Sequence, residues 1–167
     1  MPVVVDVQTV SIVIASAGVF AAAIYYIFML KHQNKMRQTD LVVKLYSAFT
    51  SDDFMVALFK ITNLEFKDYR DFVNKYGSIL LETPVNVAMF KVACYYDEIG
   101  TLLHRGLIDA ELVSEFMTLS TISLWNKLKP LIEGYREDVG SKYFVWFEYL
   151  YDELKKKREQ KLQQSKA

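Results

Sequence analysis

Hydrophobic positions along the chain follow two patterns. Residues 10–30, "VSIVIASAGVFAAAIYYIFML", form a run of 21 without a charged side chain. At about 1.5 Å of rise per residue, a helix of that length crosses the ~30 Å hydrocarbon layer of a bilayer. Beyond it, apolar residues recur three and four apart, the spacing of amphipathic helices rather than the alternation of strands. The pattern predicts an all-α chain: one N-terminal transmembrane helix followed by a cytoplasmic helical bundle of about five to seven helices. Residues 1–9 form a short extracytoplasmic N-terminus, 10–30 the span, 31–37 a basic juxtamembrane segment, 38–154 the helical domain and 155–167 a basic C-terminal tail.

Within the domain, residues 38–49 continue the anchor through "KHQNKMRQTD". Ser51 caps "DDFMVALFKI", and a third helix covers "EFKDYRDFVNKYG" up to Gly77. The longest is "ETPVNVAMFKVACYYDEIGTLLHRG", with Thr83 as cap, Pro84 at the first helical position and Gly106 as stop. Val85, Met89, Val92, Tyr96, Ile99 and Leu103 give it one apolar stripe, so it is expected to be the central helix. In "GLIDAELV", Asp109 caps the next helix, and Ile108 and Val113 have the spacing of a hydrophobic staple. An antiparallel hairpin is expected, its second arm running through Leu112, Phe116, Leu119 and Trp125 to about Lys129, where Pro130 ends it. "PLIEGYREDVGSK" supplies another short turn or helix.

The last helix is "KYFVWFEYLYDELKKKREQK", with Tyr143, Trp146, Phe147, Leu150 and Leu154 assigned inward and Phe144 and Tyr151 off that face. Six aromatics between positions 143 and 151 exceed one stripe. Packing against two or more helices accounts for them, with Phe144, Tyr149 and Tyr151 as candidates for a partner surface.

The apolar run reads as an uncleaved anchor. A secretory signal needs a basic segment before it and a small-residue cleavage site after it, whereas the leader is "MPVVVDVQ" and the run ends in "IYYIFML". Only Asp6 is charged before the span, while Lys31, Lys35 and Arg37 follow it, so these three are assigned to the inner leaflet. The expected location is the cell membrane, single-pass, with the N-terminus outside and the domain cytoplasmic. Ser11, Ala15, Gly18 and Ala22 fall on one helix face, a strip along which a transmembrane partner, or a second copy of the chain, approaches closely. Ala, Ser and Gly are also common in membrane helices that make no such contact.

Charge is segregated although the formal net charge is zero. Residues 38–154 carry 11 Lys or Arg against 18 Asp or Glu, a balance of −7, while residues 155–167 carry six against one, a balance of +5. An acidic body argues against nucleic acid as a partner. The tail "KKKREQKLQQSKA" either touches anionic headgroups or is a solvated helix end complementing the dipole; the second is the simpler assignment.

No catalytic constellation emerges. Position 100, four before His104, is Gly and position 101 is Thr, so neither HExxH nor the ExxH pair of helical di-iron sites is present. Asp97 and Glu98 are adjacent and point about 100° apart on a helix, a poor geometry for sharing a proton. Cys94 has apolar sequence neighbours and is expected to be a buried thiol. No phosphate loop or GxSxG appears, so no cofactor, metal or small-molecule substrate is assigned. Arg105 and Arg136 are placed to pair with Asp97, Glu98 or Asp109 around the Gly106 turn, fixing helix register.

The span, "YYDEIGTLLHRGLIDAELV", "LWNKLKPLIEGYRE" and "FVWFEYLYDEL", in that order over about residues 40–154, resemble a family of prokaryotic membrane-anchored helical proteins known as a domain of unknown function. The resemblance implies an all-helical cytoplasmic domain and brings no activity. The expected function is a non-catalytic accessory or assembly subunit of a membrane complex. The alternative is a membrane-tethered adaptor that recruits soluble partners; an enzyme is the least favoured class.

Overall fold

A computed structural model describes residues 6–140 and 142–164. Among these there are six helices and no strand: α1 (Val7–Phe49), α2 (Asp52–Thr62), α3 (Tyr69–Tyr76), α4 (Pro84–His104), α5 (Ala110–Val139) and α6 (Val145–Gln164). Contacts divide the chain into two units, Met1–Asp40 and Leu41–Ala167.

Described residues of the first unit have no core. The apolar stretch of α1 is entirely exposed, with Val13, Phe20, Tyr25 and Phe28 each above 60% accessible. Long, apolar and unburied, this helix has the dimensions of a membrane span.

The second unit has one contiguous core, entered by Val42 and Leu45 from the last turns of α1. Tyr95 donates to the carbonyl of Leu45 at 2.7 Å. Local signals place most helix starts as expected: Ser51, Thr83 and Asp109 each accept a backbone N–H from the first turn of the helix they precede. Pro84 occupies the first turn of α4, and Gly106, at φ 65°, makes the left-handed turn that ends it. Asp68 caps α3, which therefore starts later than the hydrophobic pattern predicted. Asn86 Nδ2 donates to the carbonyls of Ser78 and Leu81 at 2.8 Å each, tying the connecting loop to α4.

Three expectations are corrected. First, α5 does not end at Lys129; it runs through Pro130 to a left-handed cap at Gly140. A mid-helix proline costs about 3 kcal/mol, offset by burial of Leu124, Trp125 and Leu128 before it and Leu131, Ile132 and Tyr135 after it. Second, the close helix pairs are α4 with α6, α5 with α6, α2 with α4, and α3 with α5. The expected α4–α5 hairpin is thus spread open with α6 between its arms, while α4, as its stripe predicted, buries more residues than any other helix. Third, Cys94 is exposed. Its apolar sequence neighbours turn inward on the α4 lattice, while Cys94 lies on the outer side.

Helix α6 sits between α4 and α5 because both accept its rings. Phe147, fully buried, stacks on Tyr96 of α4 and meets Trp125 of α5 edge-on, each at a centroid distance of 5.0 Å. Gly100 makes the approach close: a Cβ there would lie 1.8 Å from the Trp146 carbonyl oxygen. Overpacking of well-ordered cores costs about 1–3 kcal/mol, and here the obstacle is backbone. Gly100→Ala is therefore expected to lower unfolding stability by at least that range, while Gly18→Ala, whose Cβ meets open space, leaves it unchanged. Denaturant midpoints followed by near-ultraviolet circular dichroism check this, and equal midpoints refute the close approach.

Candidate functional site

A polar cluster drawn from α4, α5 and α6 forms around the first turn of α6. That helix starts after Phe144, which has φ 56° and cannot cap it. Asp97 of α4 supplies the cap from a distance in sequence: its Oδ1 accepts the N–H of Trp146 at 2.9 Å and of Phe147 at 3.0 Å. Arg136 of α5 holds the preceding segment. Its Nε and Nη2 donate to the carbonyls of Tyr143 and Phe144, and its Nη1 pairs with Glu148 at 2.7 Å. A guanidinium presents several donors in a fixed plane, so one side chain secures three acceptors.

This arrangement corrects the expected pairing. Arg136 pairs with Glu148, not with Asp97, Glu98 or Asp109; Arg105 lies on the surface, where its backbone N–H closes α4; and Asp109 serves as the α5 cap. Only Asp97 and Arg136 meet in one place, both acting on residues 143–148.

The aromatic assignments at this turn change too. Phe144 is buried and offers no partner surface, whereas Tyr143, assigned inward, is 42% exposed. The helical phase of α6 does not reach back past Val145, because the left-handed residue 144 breaks it. Tyr149 and Tyr151 are half-buried: Tyr149 contacts His104 at a 5.3 Å centroid distance, and Tyr151 contacts Trp125 at 5.9 Å. Phe147 and Tyr151 together account for the aromatic surplus by packing toward two helices.

At the other end of α6 the basic segment is not separate. The helix continues through position 155 to Gln164, and Lys157 and Lys161 both pair with Glu111 in the first turn of α5. Hydrogen bonds from these two ammonium groups pull the Glu111 carboxyl down to about 2. In the second unit, burial pushes the Tyr96 hydroxyl up to about 12. The Cys94 thiol is raised by partial desolvation and then by Asp97, the reverse of what activates a nucleophile.

Three surface grooves accompany these clusters. The largest, about 680 Å³, lies along α3 and α5 and carries Asp68, Glu133, Glu137 and Asp138 with Arg70. Its wall is tight, because Gly134 leaves no room for a Cβ beside Tyr69, whose hydroxyl donates to Asp138 at 3.0 Å. A second, about 270 Å³, lies along α5 and α6 and combines Leu119 and Leu162 with Lys157, Arg158 and Lys161. A third, about 300 Å³, includes Cys94, Lys91 and Glu98. Among the described residues no three His, Cys, Asp or Glu side chains converge as metal ligands would.

In the first unit Ser11, Ala15, Gly18 and Ala22 are all exposed, as are Lys31, Lys35 and Arg37. Sequence reasoning missed Gly100, Gly134 and Glu148, whose roles depend on what lies opposite them in space. A family model described as a domain of unknown function, DUF4760, matches residues 12–154. The match begins inside the apolar run, earlier than the expected similarity over about residues 40–154, and ends where that similarity ends. No curated protein and no solved structure matches the chain.

The pH dependence of the α5–α6 tie follows from Glu111. A carboxyl whose folded pKa is depressed contributes stability fully above its ordinary value and loses it as pH falls through the folded value. Wild type should therefore be more stable than Glu111→Gln at pH 7, with the difference shrinking below about pH 4.5 and vanishing only below about pH 2. Thermal unfolding of both proteins across that range tests it; a difference constant with pH refutes the ion-pair origin.

Proposed function

Because the chain belongs to the DUF4760 family, a domain of unknown function that brings no activity to transfer, we propose its role from its physical features. It is a non-catalytic single-span protein of the cell membrane, an accessory or assembly subunit of a larger membrane complex that acts through helix–helix contacts. The carrying observation is the exposed apolar helix. A water-soluble domain does not leave such a run uncovered, since removing apolar surface from water gains about 25 cal/mol per Å². The family match, which takes in most of that run, supports treating it as part of the protein's working form.

Orientation follows the cations: Lys31, Lys35 and Arg37 sit at the inner face, putting the helical unit in the cytoplasm and the N-terminus outside. The small residues of the span provide the contact. In lipid, packing rather than hydrophobicity drives helix association, and small side chains let backbones approach. Gly18 has open space around it within its own chain, so a larger residue there disturbs only a partner.

Two outcomes follow. The protein should pellet with membranes, resist carbonate extraction and keep its C-terminus protected from external protease in intact cells; recovery in the soluble fraction refutes the anchor. Gly18→Leu should still insert but lose its co-purifying membrane partner, or self-association if that partner is another copy, while Ile12→Leu, off that face, has little effect. If Gly18→Leu retains every partner at wild-type yield, the span is only a tether, and a membrane-tethered adaptor recognising partners through its helical unit becomes the better reading.

A further inference from the structure

The groove along α5 and α6 has a composition that neither helix needs for its own packing. Leu119 and Leu162 line it while remaining 67% and 52% exposed, and Lys157, Arg158 and Lys161 lie beside them. Glu111 accepts from Lys157 and Lys161 together, which holds two ammonium groups side by side with one carboxylate between them and leaves the rim positive. Lys155 and Lys156, both exposed, extend the charge along α6, where Glu159 is the single acidic residue among positions 155–164.

We propose that this groove docks on the anionic phospholipid surface of the membrane, with Leu119 and Leu162 entering the headgroup–acyl boundary and Arg158, Lys157 and Lys161 meeting phosphates. The chemistry selects an amphiphile. An acidic peptide would satisfy the cations yet leave two leucines wet, and an apolar protein face would cover the leucines yet desolvate Arg158 together with two lysines that share the single carboxylate of Glu111. A lipid surface does neither, because long cationic side chains reach headgroups while apolar residues sink beside them. The inference rests on the membrane-anchor reading: the span keeps the body at the bilayer, so a weak patch acts at high effective concentration. Each Lys or Arg close to an anionic leaflet strengthens such binding about fivefold. What the groove adds to the anchor is a second, charge-dependent attachment, one that lipid composition regulates.

The test uses the full chain with Cys94→Ser and a fluorescent label at Leu162→Cys, reconstituted into vesicles of phosphatidylcholine alone or with phosphatidylglycerol, each containing spin-labelled quencher lipid. The label should be blue-shifted and quenched only in the anionic vesicles, and 0.5 M salt should reverse both effects. Arg158→Glu should reduce the docked fraction about fivefold or more, and Leu119→Gln should reduce it too. A label at Glu137→Cys, in the acidic groove, should stay unquenched. Vesicle flotation of the same samples reads the anchor separately. Flotation without quenching at position 162 in either lipid, or with equal quenching at 137, overturns the docking and leaves the anchor standing. Loss of flotation overturns both.

Discussion

One seat organises the helical unit: the first turn of α6 resting on α4 at Asp97 and Gly100. A helix start has backbone N–H groups without intrahelical acceptors, and the residue before α6 is a left-handed phenylalanine that satisfies none of them. Asp97 accepts two, adding a negative charge at the positive end of the helix dipole. Gly100, three residues further along α4, removes the side chain that would stand in the path of the Trp146 carbonyl. From that seat the rest follows. Phe147 enters between Tyr96 and Trp125, Leu150 and Leu154 are buried one and two turns later, and α4 and α5 are held apart by the helix between them.

Arg136 secures the same junction from the opposite partner helix. By binding two carbonyls and Glu148, it ties the segment leading into α6 to α5. It is 19% exposed, which makes these charge-assisted bonds stronger than a surface pair and costly to leave unmade. Pro130 belongs to the same picture. Helix α5 continues past its missing hydrogen bond because buried Leu131, Ile132 and Tyr135, the last in contact with Tyr69 of α3, and Arg136, which holds the segment before α6, lie beyond it.

Charge segregation along the chain becomes two grooves of opposite sign. Carboxylates from α3 and α5 collect in one, while the cations of α6 meet Leu119 and Leu162 in the other. The near-zero formal charge therefore conceals a surface with distinct electrostatic regions, and those regions, rather than the net value, govern which partners are steered to it. The first unit obeys a different rule. Its apolar run is unburied and has the length of a bilayer's hydrocarbon layer.

What the sequence determined by itself is everything encoded within about one helical turn. Caps at Ser51, Thr83 and Asp109, Pro84 at a helix start, the Gly106 turn, the α4 stripe and the long uncharged N-terminal helix were all legible, because capping and helical periodicity depend on neighbours three or four residues away. Tertiary structure decided which helices touch. Asp97 was visible as a polar residue on α4, but its acceptor role is set by backbone 49 and 50 residues on. Arg136 is legible as a pairing cation but not with its true partner, since only the fold brings Glu148 to it. Phe144 and Tyr143 exchanged places because one positive φ resets helical phase, and α5 outran its proline because burial on both sides exceeds the cost of one lost hydrogen bond. Local chemistry writes helix ends into the sequence, whereas the pairing of helices depends on shape and distance between residues that the linear order does not bring together.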